Sequence, residues 1–449
     1  MPGRTAIATM MMATSRALGK KIRSVIVRVR VSRNRLRSFM VSRRWKTSWP
    51  VDSKQASNLR SDGLVRTELN LMTSTALSRR AREARDWMLD SCFPLWSREG
   101  VLGNNLFREK LDITHRPLET DRMRVRVQAR QTYLFAAAKR LGWDADRADR
   151  LIGYGVDALS GPSVRGDGLI GRCISAEGDG LIDETADLYD TAFALFAYAH
   201  AAMQGHEDAA AHARQLIANV EAKLEDVTHG GYAESLPRGD RRLQNPHMHL
   251  LEANLALYES DERRDHLERA SALVRLLDEK MLHQVTGTLG ETFGLDWSEE
   301  REPGLRFIEP GHQFEWVWLL KTHAGAAGRE LNPAMGKLYD IGLRTLDAEG
   351  RVFAKATREG EIVDGSRRTW MQTEALKAHL AMMELGADEQ CESRAVQCFD
   401  VLMDEYLTPE GGWIDCYHAD GQVGADDMPA STGYHVVLAF CELLRVTGV

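Results

Sequence analysis

Apolar helices recur in this chain about every 60 residues, and that period limits its architecture more than any other feature. Six polar residues, Arg130, Tyr189, His249, His312, Gln372 and His435, each open or lie near the start of an apolar stretch, at separations of 59, 60, 63, 60 and 63 residues. Such a period accommodates one helix, a connection, a second antiparallel helix and a return loop. Six hairpins of this kind closed into a ring make an all-α (α/α)6 barrel, whose inner helices bring their polar ends to one mouth. Helical spacing is read over 78–93, 131–141, 189–203, 209–224, 249–258, 266–281, 314–322, 333–348, 372–385, 392–406 and 434–446. The Gly-rich stretches between them (230–232, 287–294, 350–363, 411–413) read as turns or short β-hairpins, and no strand run is long enough for a doubly wound sheet.

Charge divides the chain in two. Residues 1–50 hold 13 Lys and Arg and no Asp or Glu; the other 399 hold 45 basic and 65 acidic residues. The acid-free, Arg-rich leader resembles a transit peptide, and its segment 24–32 alternates as an isolated strand would. The favoured reading makes residues 1–71 a disordered or mis-annotated extension, with the true start near Met72 and residues 72–449 forming one catalytic domain that acts without the leader. The acidic body argues against nucleic acid as a partner, and no apolar run approaches the ~20 residues of a membrane span. The six cysteines form no CxxC pair, which fits scattered reduced thiols in a cytoplasm.

Each polar marker sits in a cluster. In 124–133, Arg130 falls where its neighbours turn apolar; a buried guanidinium needs partners, and sugar hydroxyls, an oxyanion or a core carboxylate would each serve. In 187–193, Tyr189 and Asp190 read as a helix cap with a packing ring. His249 and Glu252 are three apart, on one helix face, and so are His312 and Glu315; a Glu beside a His orients the ring and raises its basicity. His247 and His249 do not share a face and no further ligand set completes a metal site, so no metal and no cofactor are expected. The last two clusters are 368–374, with Trp370, Gln372 and Glu374, and 428–435, ending on His435.

Six segments, VQARQTYLFA at 127–136, DLYDTAFALFA at 187–197, NPHMHLLEA at 245–253, EPGHQFEW at 309–316, WMQTEALKA at 370–378 and MPASTGYH at 428–435, together resemble the N-acylglucosamine 2-epimerase family, which includes mannose isomerase-type and cellobiose 2-epimerase-type enzymes. The resemblance runs in family order over roughly 73–449. It implies the same (α/α)6 barrel and a proton transfer on an open-chain sugar through an enediol or enediolate. Return of the proton to the neighbouring carbon isomerises an aldose to a ketose; return to the same carbon from the other face gives 2-epimerisation. By motif, the resemblance implies His249 and His435 as the acid/base pair and Arg130 as the group that stabilises the sugar oxygen. It implies Tyr189, Glu252, His312, Glu315, Trp370, Gln372 and Glu374 as pocket residues. One departure stands out: Thr191 occupies a place where many relatives have His, and Thr cannot serve as acid or base near neutral pH.

The expected activity is therefore a mannose/fructose-type aldose–ketose isomerase working as a monomer or homodimer on a small sugar. A 2-epimerase of N-acylglucosamine or a related hexose is the alternative. A phosphosugar isomerase would need basic residues at the mouth, for which Arg124, Arg126, Arg241 and Arg242 are candidates. A glycoside hydrolase would need two carboxylates across the scissile bond. A non-enzymatic sugar-binding protein would catalyse no proton exchange.

Overall fold

The computed structural model describes residues 76–387 and 389–449; the basic leader, including its alternating segment, lies outside them. Thirteen α-helices are present among the described residues: α1 Ala76–Trp87, α2 Phe93–Glu99, α3 Val125–Arg140, α4 Ala145–Ser160, α5 Leu188–Met203, α6 Glu207–Leu224, α7 Gln244–Asp261, α8 Arg264–Leu276, α9 Pro310–Ala327, α10 Ala334–Arg344, α11 Thr369–Glu384, α12 Cys391–Val401 and α13 Gly433–Thr447. A π-type turn, Met88–Cys92, runs α1 into α2. The odd-numbered helices from α3 to α13 each pack on the next, and α13 packs back on α3. They form the inner ring of an (α/α)6 barrel. Each of α3, α5, α7, α9 and α11 pairs with the helix after it, and α13 is completed by α1 from the start of the body.

The inner helices are buried on nearly every side, with α5 and α7 each covered from the first turn to the last but one. Their amphipathic stripe is therefore lost, unlike that of the outer α4 or α10, whose apolar residues keep to one face.

Short strands lock the hairpins to one another at the mouth. The strand entering an inner helix pairs antiparallel with the strand leaving the next outer helix. Thus β2 (Arg122–Arg124) pairs with β3 (Cys173–Ser175), β5 (Ala186–Asp187) with β6 (Ser235–Leu236), and β7 (Arg242–Leu243) with β8 (Thr292–Phe293). Likewise Ile308 bridges Ala356, and β11 (Arg367–Arg368) pairs with β12 (Cys416–Tyr417). The ring closes where β13 (Asp427–Pro429) meets β1 (Lys110–Asp112), Lys110 opposite Pro429. Two local hairpins also occur, β3 with β4 (Leu181–Asp183) and β9 (Lys355–Ala356) with β10 (Ile362–Asp364). The expected Gly-rich turns are each closed by a local antiparallel bridge, Glu225 to Tyr232, Leu282 to Leu289, Leu346 to Val352 and Leu407 to Trp413, and the ladders between successive units come in addition. Closure is reinforced by Trp96 stacked on Trp413, ring centroids 4.6 Å apart.

One outer helix, α4, is absent from the sequence-based spans. Its Gly153 and Gly155 interrupt the helical pattern. Gly155 is there for space: a Cβ at that point would lie 1.7 Å from Thr132 Oγ1 on α3. Gly153 meets only His206, at 3.8 Å. Gly155→Ala is expected to cost ~1–3 kcal/mol through overpacking, whereas Gly153→Ala gains up to ~1 kcal/mol of helix propensity; denaturant unfolding of the two variants checks the contrast.

Candidate active site

All six inner helices start at the same mouth, so their partially positive N-termini converge there, an environment suited to developing negative charge. Counting from the first residue of each, and from the short turn Ala430–Thr432 that opens α13, the sixth residue is Arg130, Phe193, His249, Glu315, Glu374 and His435. These form one layer of the barrel. The sequence markers coincide with it at Arg130, His249 and His435; in the other three units the residue in that layer is Phe193, Glu315 or Glu374 rather than Tyr189, His312 or Gln372. Tyr189 and Trp370 are second residues of their helices and stand half-buried one turn nearer the mouth, with His312 beside them.

Arg130 is 5 % exposed and none of the ion pairs among the described residues involves it. Its Nη2 donates to Tyr189 Oη at 2.7 Å and its Nη1 to the Ser431 carbonyl at 3.2 Å. The guanidinium lies 4.0 Å from the Phe193 ring centre. Of the partners open to it from sequence, a core carboxylate is thus not the one used.

His249 donates from Nδ1 to Glu252 Oε2 at 3.0 Å, and Glu315 Oε1 lies 3.9 Å from the same nitrogen. Glu252 also accepts from the Tyr434 hydroxyl. Burial works against ionisation of Glu252, but the His249 bond, the nearby charges and the Tyr434 hydroxyl together hold it below its ordinary value. The His249 ring packs on Phe193 at 4.5 Å and Tyr189 at 5.1 Å.

His435 donates from Nδ1 to Glu374 Oε1 at 2.9 Å. Burial, then the positive charges of Arg130 and Lys377, hold this imidazole well below 6.5, so it is neutral at physiological pH. Trp370 lies between His435 and His312, with ring centres 5.7 and 4.9 Å away.

His312 differs from the pairing read in the sequence. Its Nδ1 bonds Glu291 Oε2 at 2.8 Å, with Glu309 Oε2 at 3.5 Å. Glu315 instead turns inward toward His249. Burial opposes protonation of His312, but Glu291, Glu309 and Glu315 outweigh it and push the imidazole up to about 10. Glu291, on the loop before β8, also accepts from Gln244 Nε2 at 2.8 Å and from the Glu309 amide at 3.1 Å. It carries no helical signature in the sequence. Gly311 leaves room for the Trp370 ring, since a Cβ there would meet it at 2.6 Å.

Gln372 is not a pocket residue. Its amide accepts from the Val352 N–H at 3.1 Å and donates to the Gly350 carbonyl at 2.9 Å. It is the fourth residue of its helix; the fourth residues Gln128 and Gln313 do the same for the loops at Phe107 and Leu289, and His247 accepts from the Tyr232 N–H. This position fastens the outer loops to the inner ring.

The donor atoms of His249, Glu252 and Glu315, and those of Glu315, Glu374 and His435, lie within 4.8 Å of one another. We assign no metal to them. Both imidazole nitrogens in question already bond carboxylates, and the ammonium of Lys377, 2.6 Å from Glu374 Oε2, supplies positive charge from inside the fold.

Comparison with known proteins gives the family. Residues 107–439 match the model of N-acylglucosamine 2-epimerase (GlcNAc 2-epimerase). The chain belongs to the N-acylglucosamine 2-epimerase family. It is 34% identical over 382 residues to a protein named mannose-6-phosphate isomerase from Rhizobium meliloti (strain 1021), covering 81% of this chain and 96% of that one. It is 30% identical over 301 residues to a D-mannose isomerase of Pseudomonas cannabina pv. alisalensis, covering 59% of this chain and 69% of that one. Among solved structures, cellobiose 2-epimerase from Spirochaeta thermophila DSM 6192 superposes with a TM-score of 0.76 at 21% identity, over 84% of this chain and 98% of that one. At that identity the likeness is one of fold. As a member of this family the chain is a sugar isomerase or epimerase.

The family departure at Thr191 falls at a loop-fastening fourth position, not in the inward layer. Thr191 is fully buried and donates to the Asp187 carbonyl of its own helix at 2.7 Å. Asp187 also caps that helix, accepting from the Tyr189 N–H at 2.9 Å.

Proposed function

We propose that this family member interconverts an aldose and a ketose of the mannose–fructose type, with His249 and His435 as its acid/base pair. The observation that carries the reading is the sixth-residue layer, which sets two carboxylate-anchored imidazoles around an unpaired guanidinium. His435, neutral and bonded through Nδ1, keeps Nε2 as an acceptor and takes the acidic proton beside the sugar carbonyl. Arg130 and the protonated His312 donate to the oxygens on which charge builds. His249, oriented by Glu252, handles the second proton. Tyr189 and Trp370 wall the sugar, and Glu252, Glu315 and Glu374 act through the imidazoles. Turned toward His249, His435 and Lys377, these carboxylates do not flank a substrate bond, which disfavours a hydrolase.

Two further readings each have support. Proton return from opposite faces by the same two histidines would give a 2-epimerase. A 6-phosphorylated hexose is favoured by the name of the 34%-identical relative. Against it, Arg124, Arg126 and Arg241 are paired with Glu109, Asp190 and Glu300, and Arg242 with Asp226. An NMR screen of mannose, fructose, glucose, N-acetylglucosamine and their 6-phosphates separates the three by product. No turnover on any of them sinks the proposal.

The reading extends to a monomeric or homodimeric cytoplasmic enzyme in which residues 72–449 suffice for activity. No helix among the described residues is long and apolar enough to cross a membrane. The charge states also set a pH profile. Activity falls on the acid side only below pH 6.5, as His435 gains its proton, and on the alkaline side toward about 10, as His312 loses its own. A kcat/KM profile with an acid limb above 7 would contradict these roles.

A further inference from the structure

Lys377 is fully buried, lies three residues beyond Glu374 on α11, and takes no part in the chemistry above. Its Nζ is 2.6 Å from Glu374 Oε2 and 4.1 Å from the centre of the Trp318 ring. It is the ninth residue of its helix; the ninth residue of α7 is Glu252 and that of α9 is Trp318. The ammonium therefore occupies the layer directly beneath the imidazoles. Neither oxygen of the fully buried Glu315 has a hydrogen-bond partner among the described residues.

We propose that Lys377 is the positioning residue that sets the tautomer of His435, by holding ionised the carboxylate on which that imidazole leans. The inference rests on the reading of His435 as the base. Three carboxylates, Glu252, Glu315 and Glu374, meet in a site that excludes water, and like charges so placed cannot all ionise without a counter-charge. Burial, then Glu315, push Glu374 well above the ordinary carboxylate range even with Lys377 in place, and Lys377, its Nζ 2.6 Å from Oε2, is the cation that opposes that shift. Burial works against the charge of Lys377 itself, but Glu374, Glu315 and Glu252 outweigh it and keep the ammonium protonated.

The groups that bear on the pair or on His435 come from five of the six inner helices or their starts. They are Glu315 and Trp318 from α9, Glu252 and His249 from α7, Tyr434 and His435 from α13, Arg130 from α3, and Arg368 just before α11.

An ionised Glu374 accepts from His435 Nδ1–H and leaves Nε2 as the proton acceptor. A protonated Glu374 donates to Nδ1 instead, which places the ring proton on Nε2 and disables the base. The consequence of a wrong tautomer is known from the catalytic triad, where it costs about four orders of magnitude in kcat.

The test uses the full chain with 15N-labelled histidine. The tautomer of His435 is read from imidazole 15N shifts, its signals assigned by their loss in His435→Asn. Lys377→Met is expected to convert His435 from the Nδ1–H to the Nε2–H form at neutral pH. It should also move the acid limb of kcat up by ~1–3 pH units. Glu315→Gln, an isosteric change that removes the unpaired charge, should leave the Nδ1–H form in place and move the same limb down. It provides the answer if Lys377→Met does not fold.

A folded Lys377→Met protein with His435 still in the Nδ1–H form overturns the proposal, and so does an unmoved limb in Glu315→Gln. The tautomer readout needs no sugar. An enzyme that turns over no hexose but shows the tautomer switch keeps this inference and loses the isomerase reading. Turnover without the switch does the reverse.

Discussion

His435→Ala lowers kcat by ~10²–10⁴-fold on whichever hexose the protein turns over, with little change in KM. In the proposed mechanism the imidazole is the neutral base of the layer, with no second group to replace it. Trp370 and Tyr434 pack on it, ring centres 5.7 and 4.7 Å away, and Glu374 holds its Nδ1. Truncation leaves Glu374 still paired with Lys377, so the ring keeps its internal charge balance and the melting temperature stays close to that of the parent. Steady-state kinetics beside a melting curve check this result. Unchanged turnover would remove His435 from the chemistry. The orienting carboxylate shows a related signature: Glu374→Gln cannot hold Nδ1–H as an anion does, so it too loses kcat with the pocket still formed.

Arg130→Met is expected to lower kcat by ~10²–10³-fold, the range found when one oxyanion donor is removed. The argument is geometric as well as electrostatic. Two guanidinium nitrogens are fixed by Tyr189 Oη and the Ser431 carbonyl, and the plane rests on Phe193. That fixed fork presents positive charge at the mouth without reorganising as the enediolate forms. Lysine carries the charge but not the fork, so Arg130→Lys restores little of the loss. A KM effect with kcat intact would instead mark Arg130 as a group that binds ground state and transition state alike.

The barrel was legible in the sequence because its period is a property of covalent length. A helix, its partner and two connections recur in about the same number of residues whatever side chains they carry. The polar residues that interrupt apolar helices, Arg130, His249, Glu252, Glu374 and His435, were legible as candidates, and the fold brings them into two adjoining layers at the sixth and ninth helix positions. Other features escaped for definite reasons. Helix α4 contains two glycines, one of them demanded by the approach of Thr132, so the spacing rule passed over it. Glu291 sits on a loop, where no periodicity marks which way a side chain points.

His312 and Glu315 are three apart on one helix, yet they serve different partners. The inner helix is buried all round, and its two faces look into different layers. Gln372 falls in the same class of error, since a buried polar residue in an inner helix fastens a loop as readily as it lines a pocket. Lys377 lay inside the family-like segment WMQTEALKA but was not singled out; its partners Glu315 and Glu252 are on other helices, so sequence spacing alone does not show the cluster.

The central claim is that a proton leaves and returns to the sugar carbon chain through an enediol(ate) at His435. The direct measurement is NMR of mannose incubated with the protein in heavy water, with the His435→Ala variant in parallel. The account predicts fructose carrying deuterium at C1, deuterium washed into recovered mannose at C2, and neither in the variant. Ketose formed with protium alone, or exchange that survives the loss of His435, would contradict it.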